Sequence, residues 1–77
     1  MKILFFGRLG ETIGREVEFD LPDGGLTVAE LRAALARIHD GLEAENVRAC
    51  INQEIVGESA MVLPNHEVAF IPPLSGG

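Results

Sequence analysis

The sequence predicts an α+β domain: a small mixed sheet of four to five strands with one main helix packed on one face. Three observations predict it. Short apolar runs at 2–6 and 67–71 open and close the ordered part of the chain. Apolar and polar residues alternate cleanly over 15–21. One amphipathic helical stripe, with a full set of start signals, lies between them. At 77 residues the chain has room for one domain only. A domain of this size buries about 60% of the surface its unfolded chain exposes.

Residues 2–6 (Lys-Ile-Leu-Phe-Phe) form the first strand, closed by Gly7. Gly7, Gly10 and Gly14 mark 7–14 as a loop. In 15–21, Val17, Phe19 and Leu21 point one way and Glu16, Glu18 and Asp20 the other, so this strand is half-buried and pairs with the first as a hairpin. Pro22-Asp23-Gly24-Gly25 is a turn. Thr27 and Glu30 make a capping box, with Leu26 and Leu31 at the positions of a hydrophobic staple. Val28, Leu31, Leu35 and Ile38 follow as one stripe. These signals place a helix at 28–39, ended by Gly41, with a polar loop at 40–46.

Residues 47–52 form a third strand, and Ile55-Val56-Gly57 a short fourth. Residues 58–66 read as irregular, with a turn at Leu63-Pro64-Asn65. Residues 67–71 form the last strand, stopped by Pro72-Pro73. The order β-β-α-β-(β)-β, with the most apolar strands first and last and therefore central, is that of a β-grasp, ubiquitin-like domain. The domain spans 1–71, and 72–77 is a tail.

Composition narrows the function. Six Lys and Arg against twelve Asp and Glu give a net charge of -6. An acidic chain is a poor ligand for nucleic acid, whose binding rests on phosphate neutralisation. No apolar run approaches a membrane span or a signal peptide, so the expected location is cytoplasmic, with no membrane partner. The single cysteine, Cys50, allows no intrachain disulfide. It sits in a strand as a small buried thiol, and a sulfur-relay role for it is disfavoured. His39 and His66 lack neighbours at ligand spacing, so no metal site is expected. Glu16, Glu18 and Asp20 read as the wet face of a strand, the alternative being a contact with a basic partner.

The central strands are apolar on both sides, yet one helix covers only one face. Ile3, Phe5, Val17, Phe19, Val68 and Phe70 belong under the helix. Leu4, Phe6, Ala69 and Ile71 belong to the other face, a candidate protein interface. The alternative is that the segment 53–63 folds over it.

The tail, Pro72-Pro73-Leu74-Ser75-Gly76-Gly77, is the most informative segment. The prolines stiffen the exit from the sheet. The terminal glycines offer a thread without side chains, able to present the α-carboxylate inside a narrow active site. The chemistry then sits on Gly77, and the domain brings no catalytic side chain of its own.

Over nearly its full length, and most sharply on three stretches, the chain resembles the small-subunit family of molybdopterin synthase, ubiquitin-like sulfur carriers. The stretches are Ile3-Leu4-Phe5-Phe6, Ile51-Asn52-Gln53 and Glu67-Val68-Ala69-Phe70-Ile71-Pro72-Pro73-Leu74-Ser75-Gly76-Gly77. The resemblance implies a cycle. A ubiquitin-activating-like adenylating enzyme uses ATP to adenylate Gly77. Sulfur from a persulfide donor displaces AMP and leaves a thiocarboxylate. The tail enters the large subunit of molybdopterin synthase and gives sulfur to a pterin precursor. The carrier itself binds no cofactor. Gly76, Ser75, Leu74, Pro73 and Pro72 thread the channel; Phe6, Ile55 and Ile71 dock the partner, Ile55 being added because it matches an interface position of the family. Asn65-His66 replaces a Gly-Asp common in relatives. Gly7 and Gly10 stand where relatives often carry Ala and a longer polar residue, and neither is expected to touch the tail. The alternatives are a carrier for thiamine or tRNA thiolation, a protein modifier conjugated through Gly77, and a binding module with an inert tail.

Overall fold

The structure, a computed structural model, describes residues 1–39, 42 and 47–72. Its strands are β1 (Lys2–Phe5), β2 (Glu16–Glu18), β3 (Leu26–Thr27), β4 (Arg48–Ile51), β5 (Glu54–Val56), β6 (Met61–Val62) and β7 (Val68–Ile71); its helices are α1 (Arg8–Ile13) and α2 (Val28–Ala36). Five strands form the main sheet in the order β2-β1-β7-β4-β5, and β3 pairs with β6 in a separate two-stranded sheet. The first and last strands are interior and run parallel, with Ile3 beside Val68 and Phe5 beside Phe70. β1 and β2 form the expected antiparallel hairpin. This is the β-grasp arrangement.

The side of the sheet facing α2 forms the core. Ile3, Phe5, Val68 and Phe70 are buried there with Val28, Leu31, Leu35 and Val62. Phe5 and Phe70 stack, ring centroids 5.7 Å apart. Each such fully buried side chain contributes about 1.5–3 kcal/mol. Val17, Phe19 and Leu21 pack against this cluster from the edge.

The start of α2 is completely partnered. Glu30 N–H donates to Thr27 Oγ1 (3.1 Å), and Thr27 N–H donates to Glu30 Oε1 (2.8 Å), closing the capping box. Val28 N–H donates to Ala60 O and Ala29 N–H to Glu58 O. The first-turn amides, which have no acceptor inside a helix, are thereby satisfied.

Five expectations need correction. Residues 8–13, read as loop, form α1: Leu9 is buried and Ile13 half-buried on the core, a one-turn apolar pair that three nearby glycines obscured. Helix α2 stops at Ala36, three residues early; its last turn tightens, with Ile38 N–H donating three residues back to Leu35 O, an acceptor it shares with His39 N–H. Ile38 consequently leaves the stripe and is 70% exposed, while Leu42, in the segment read as polar loop, is fully buried. Gly41, the expected stop, lies outside the described residues. The segment 58–66 is not wholly irregular, since Met61–Val62 pairs with Leu26–Thr27. Nor does 53–63 fold over the second sheet face: its part from Glu58 to Val62 covers the start of α2 instead.

Arg32 ties these parts together. Its guanidinium donates twice to Glu58 (2.9 and 2.8 Å) and once to Leu42 O (3.1 Å). It also lies 5.4 Å from the centre of the Phe70 ring. The hydrogen bonds from Arg32 hold the Glu58 carboxyl below its ordinary range, against a smaller opposing effect of burial.

Candidate functional site

The site is built from two parts: the sheet face that α2 leaves open, and the point where the chain leaves β7. Register decides the first. Leu4 lies beside Ala69, Ala69 beside Cys50, and Cys50 beside Ile55, so these four cross the open face as one row. Phe6 N–H donates to Phe70 O (3.1 Å), which continues the β1–β7 pairing and sets Phe6 alongside Ile71. Arg48 is opposite Ile71 on the other side.

Exposure grades this face. Ala69 and Cys50, in the middle, are buried beneath their neighbours, and Leu4 and Ile71 are half-buried. Phe6 is 50% exposed and Ile55 61%. Leu4, Phe6, Cys50, Gln53, Ala69 and Ile71 line a depression of about 310 Å³ on this face. A second depression, of about 490 Å³, lies between the end of β1, α1 and β2, and Leu4 and Phe6 line it as well. Phe6 is therefore a projecting ring bordered by two hollows. Lys2 Nζ stands 3.6 Å from Glu16 at the margin, both well exposed.

The exit is the second part. β7 ends at Ile71, and Pro72 follows half-buried. Gly7 lies against it: a Cβ on Gly7 would stand 2.8 Å from Pro72 Cγ. The expectation that Gly7 is remote from the tail is thus corrected. Gly7 has φ 58° and caps the start of α1, so the short helix and the proline fit together through a residue without a side chain.

Of the residues the sequence singles out, the structure gathers Phe6, Ile55 and Ile71 on one open face and places Pro72 at its edge. Pro73, Leu74, Ser75, Gly76 and Gly77 lie outside the described residues. Four contributors were missed: Cys50 as part of the face, Gln53 and Glu67 at its rim, and Gly7 under the exit. The parity of 48–52 was the available signal for Cys50, but it needed the register with β7. Among the described residues no group of three or more His, Cys, Asp or Glu side chains is placed to hold a metal ion. His66 Nδ1 accepts the Leu63 N–H (3.0 Å), a turn contact. No described helix is long and apolar enough to cross a membrane.

The model of the ThiS family matches residues 3–77, nearly the whole chain. The chain belongs to the ThiS family. It is 36% identical over 84 residues to the molybdopterin synthase sulfur carrier subunit of Escherichia coli, with 100% of this chain and 99% of that one covered. It is 33% identical over 82 residues to the subunit of the same name from Arabidopsis thaliana, covering 100% of this chain and 82% of that one. Among solved structures it is similar to SAMP1 from Haloferax volcanii, with TM-score 0.78 and 26% identity over 99% of this chain and 97% of that one. Membership of the ThiS family agrees with the β-grasp fold, and relatives matched over the whole of this chain bear the name of a sulfur carrier subunit.

Proposed function

We propose that the chain is the sulfur carrier of a molybdopterin synthase, acting as its small subunit in molybdenum-cofactor synthesis. The observation that carries this reading is the continuity of the two parts of the site. An apolar face that the described residues leave uncovered runs, through Ile71 and Pro72, into a tail whose sequence ends in Gly76-Gly77. A partner that covers the face receives the tail in a fixed direction.

The chemistry then belongs to the Gly77 carboxyl group. An adenylating enzyme of the ubiquitin-activating type joins it to AMP from ATP, releasing pyrophosphate. The terminal sulfur of a persulfide donor attacks the carbonyl carbon and displaces AMP, giving an acyl disulfide. A second thiol then reduces the S–S bond, freeing the thiocarboxylate and leaving a disulfide on the donor side. The resulting thiocarboxylate is a nucleophile through sulfur, and once it has attacked the pterin precursor the remaining acyl bond is open to water. The large subunit supplies the enclosure, and this chain supplies the tail and the docking face, led by Phe6, Ile55 and Ile71.

Intact-mass analysis tests the reading. The protein is incubated with its cognate adenylating enzyme, ATP and a sulfur source. The expected product is heavier by the exchange of one oxygen for one sulfur, with the change confined to the peptide containing Gly77. Recovery of the chain joined to lysines of other proteins, with no thiocarboxylate form, would instead establish a modifier.

A further inference from the structure

We propose that Gln53 is a polar anchor of the open face, whose side-chain amide hydrogen-bonds main-chain groups of the large synthase subunit. The proposal rests on the docking reading above and adds a residue to it.

Ile51 pairs with Glu54, so Asn52 and Gln53 alone connect β4 to β5. Both have positive φ, 50° and 70°. A two-residue hairpin loop with both residues at positive φ is a type I′ turn, and its second position is glycine's natural place. Asn52 has a structural reason to be there. Asparagine tolerates the left-handed region, and this one clamps the start of β7: its N–H donates to Glu67 O (2.7 Å) and its Oδ1 accepts the Glu67 N–H (2.9 Å). Gln53 has no such compensation. Among the described residues its side chain makes no hydrogen bond, and a long side chain at φ 70° is strained where glycine would not be.

Strain of this kind is tolerated where a side chain does something else. Gln53 lines the open-face depression beside Leu4, Cys50, Glu67, Ala69 and Ile71. The turn thus brings an uncharged amide to the rim of an apolar hollow. Once a partner excludes water, both ends of that amide need acceptors and donors. A neutral group loses less than a carboxylate on such burial. A main-chain N–H and C=O satisfy both ends at once.

The test pairs thermal melts of the carrier with titrations against the large subunit, for Gln53→Gly, Gln53→Asn and Ile71→Asp. Gln53→Gly is expected to raise the melting temperature by a few degrees, the positive-φ penalty outweighing glycine's extra chain entropy. It is also expected to weaken the complex about tenfold. Gln53→Asn, which keeps an amide on a shorter stem, should recover part of that affinity. If Gln53→Gly binds as tightly as the wild type while Ile71→Asp breaks the complex, the anchor is wrong and the docking face stands. If Ile71→Asp binds normally, the docking face itself is wrong. A lower melting temperature for Gln53→Gly would overturn the strain argument.

Discussion

Gly7 and Pro72 touch at the tail exit, close enough that a Cβ on Gly7 would stand 2.8 Å from Pro72 Cγ. The residue that caps the first helix therefore also shapes the start of the tail. Alanine at position 7 would need the ring to give way and the backbone to leave φ 58°, ψ -135°. Gly7→Ala should cost about 1–3 kcal/mol of stability. Pro72→Ala removes the ring and with it part of that cost. A double-mutant cycle on denaturant melts should show coupling of about 0.5 kcal/mol or more. Additive effects would mean that the two residues do not feel each other.

The neighbours Phe5 and Phe6 should separate folding from docking. Phe5 is buried and stacked on Phe70, whereas Phe6 stands on the open face, 50% exposed. Phe5→Ala should destabilise the fold by about 3–5 kcal/mol. Phe6→Ala should barely change the melt but weaken the complex with the large subunit by about 2 kcal/mol if it is a central anchor. Titration calorimetry beside thermal unfolding reads both quantities. A Phe6→Ala variant that melts much lower and binds normally would place the functional face elsewhere.

Those two faces were legible because the central strands alternate strictly. Ile3, Phe5, Val68 and Phe70 share one face as their parity requires, the face that lies under the helix, and the capping box at Thr27 and Glu30 formed as spaced. What escaped was set by tertiary structure. Leu9 and Ile13 are too few to show a helical period, and glycine at both ends of α1 looks like loop. The Met61–Val62 strand has only two residues and exists because Leu26–Thr27 offers an edge. Ile38 is exposed and Leu42 buried, an exchange set by where the helix ends, which periodicity does not encode. In the site, the apolar strand residues were readable, but the contact of Gly7 with Pro72 joins positions 65 residues apart, and nothing in the sequence connects them.

The Arg32–Glu58 pair gives a pH dependence of known sign. Glu58 titrates below its ordinary value near 4.5 in the folded chain, chiefly through its hydrogen bonds to Arg32. A lowered carboxyl pKa stabilises the fold above the unfolded value and ceases to do so as pH falls through the folded one. The pair's contribution should therefore be constant at neutral pH and fade below about 4.5. Glu58 is 53% exposed, so the amount is about 0.2–1 kcal/mol. Glu58→Gln should lose that much at pH 7 and nothing further at low pH. Arg32→Ala should cost more, about 2 kcal/mol, because it also abandons Leu42 O and the Phe70 ring. Urea melts of both variants across pH 3–7 decide the matter; a Glu58→Gln deficit that grows on acidification would reverse the sign.

The order of residues in the tail yields the last prediction. Pro72 and Pro73 cannot donate to a sheet ladder, and on the proposed reading their fixed φ would lower the entropy lost as the tail is threaded. Gly76 and Gly77 act in the opposite sense: their freedom is useful only where a Cβ would collide with the wall of a channel. Leu74, the one large apolar residue between them, is suited to a pocket at the channel mouth. A graded response follows. Adding one residue after Gly77 should abolish sulfur transfer with the melt unchanged, because the reacting carboxyl is moved. Gly76→Ala should slow activation or transfer far more than Ser75→Ala, whose position already carries a Cβ. Pro72→Ala combined with Pro73→Ala should weaken docking and leave the single-turnover rate of the bound complex alone, since rigidity affects threading and not the attack by sulfur. Single-turnover and steady-state assays of these variants separate the steps. Equal, small effects of Gly76→Ala and Ser75→Ala would show that no narrow channel constrains the tail, and the glycines would then need another explanation.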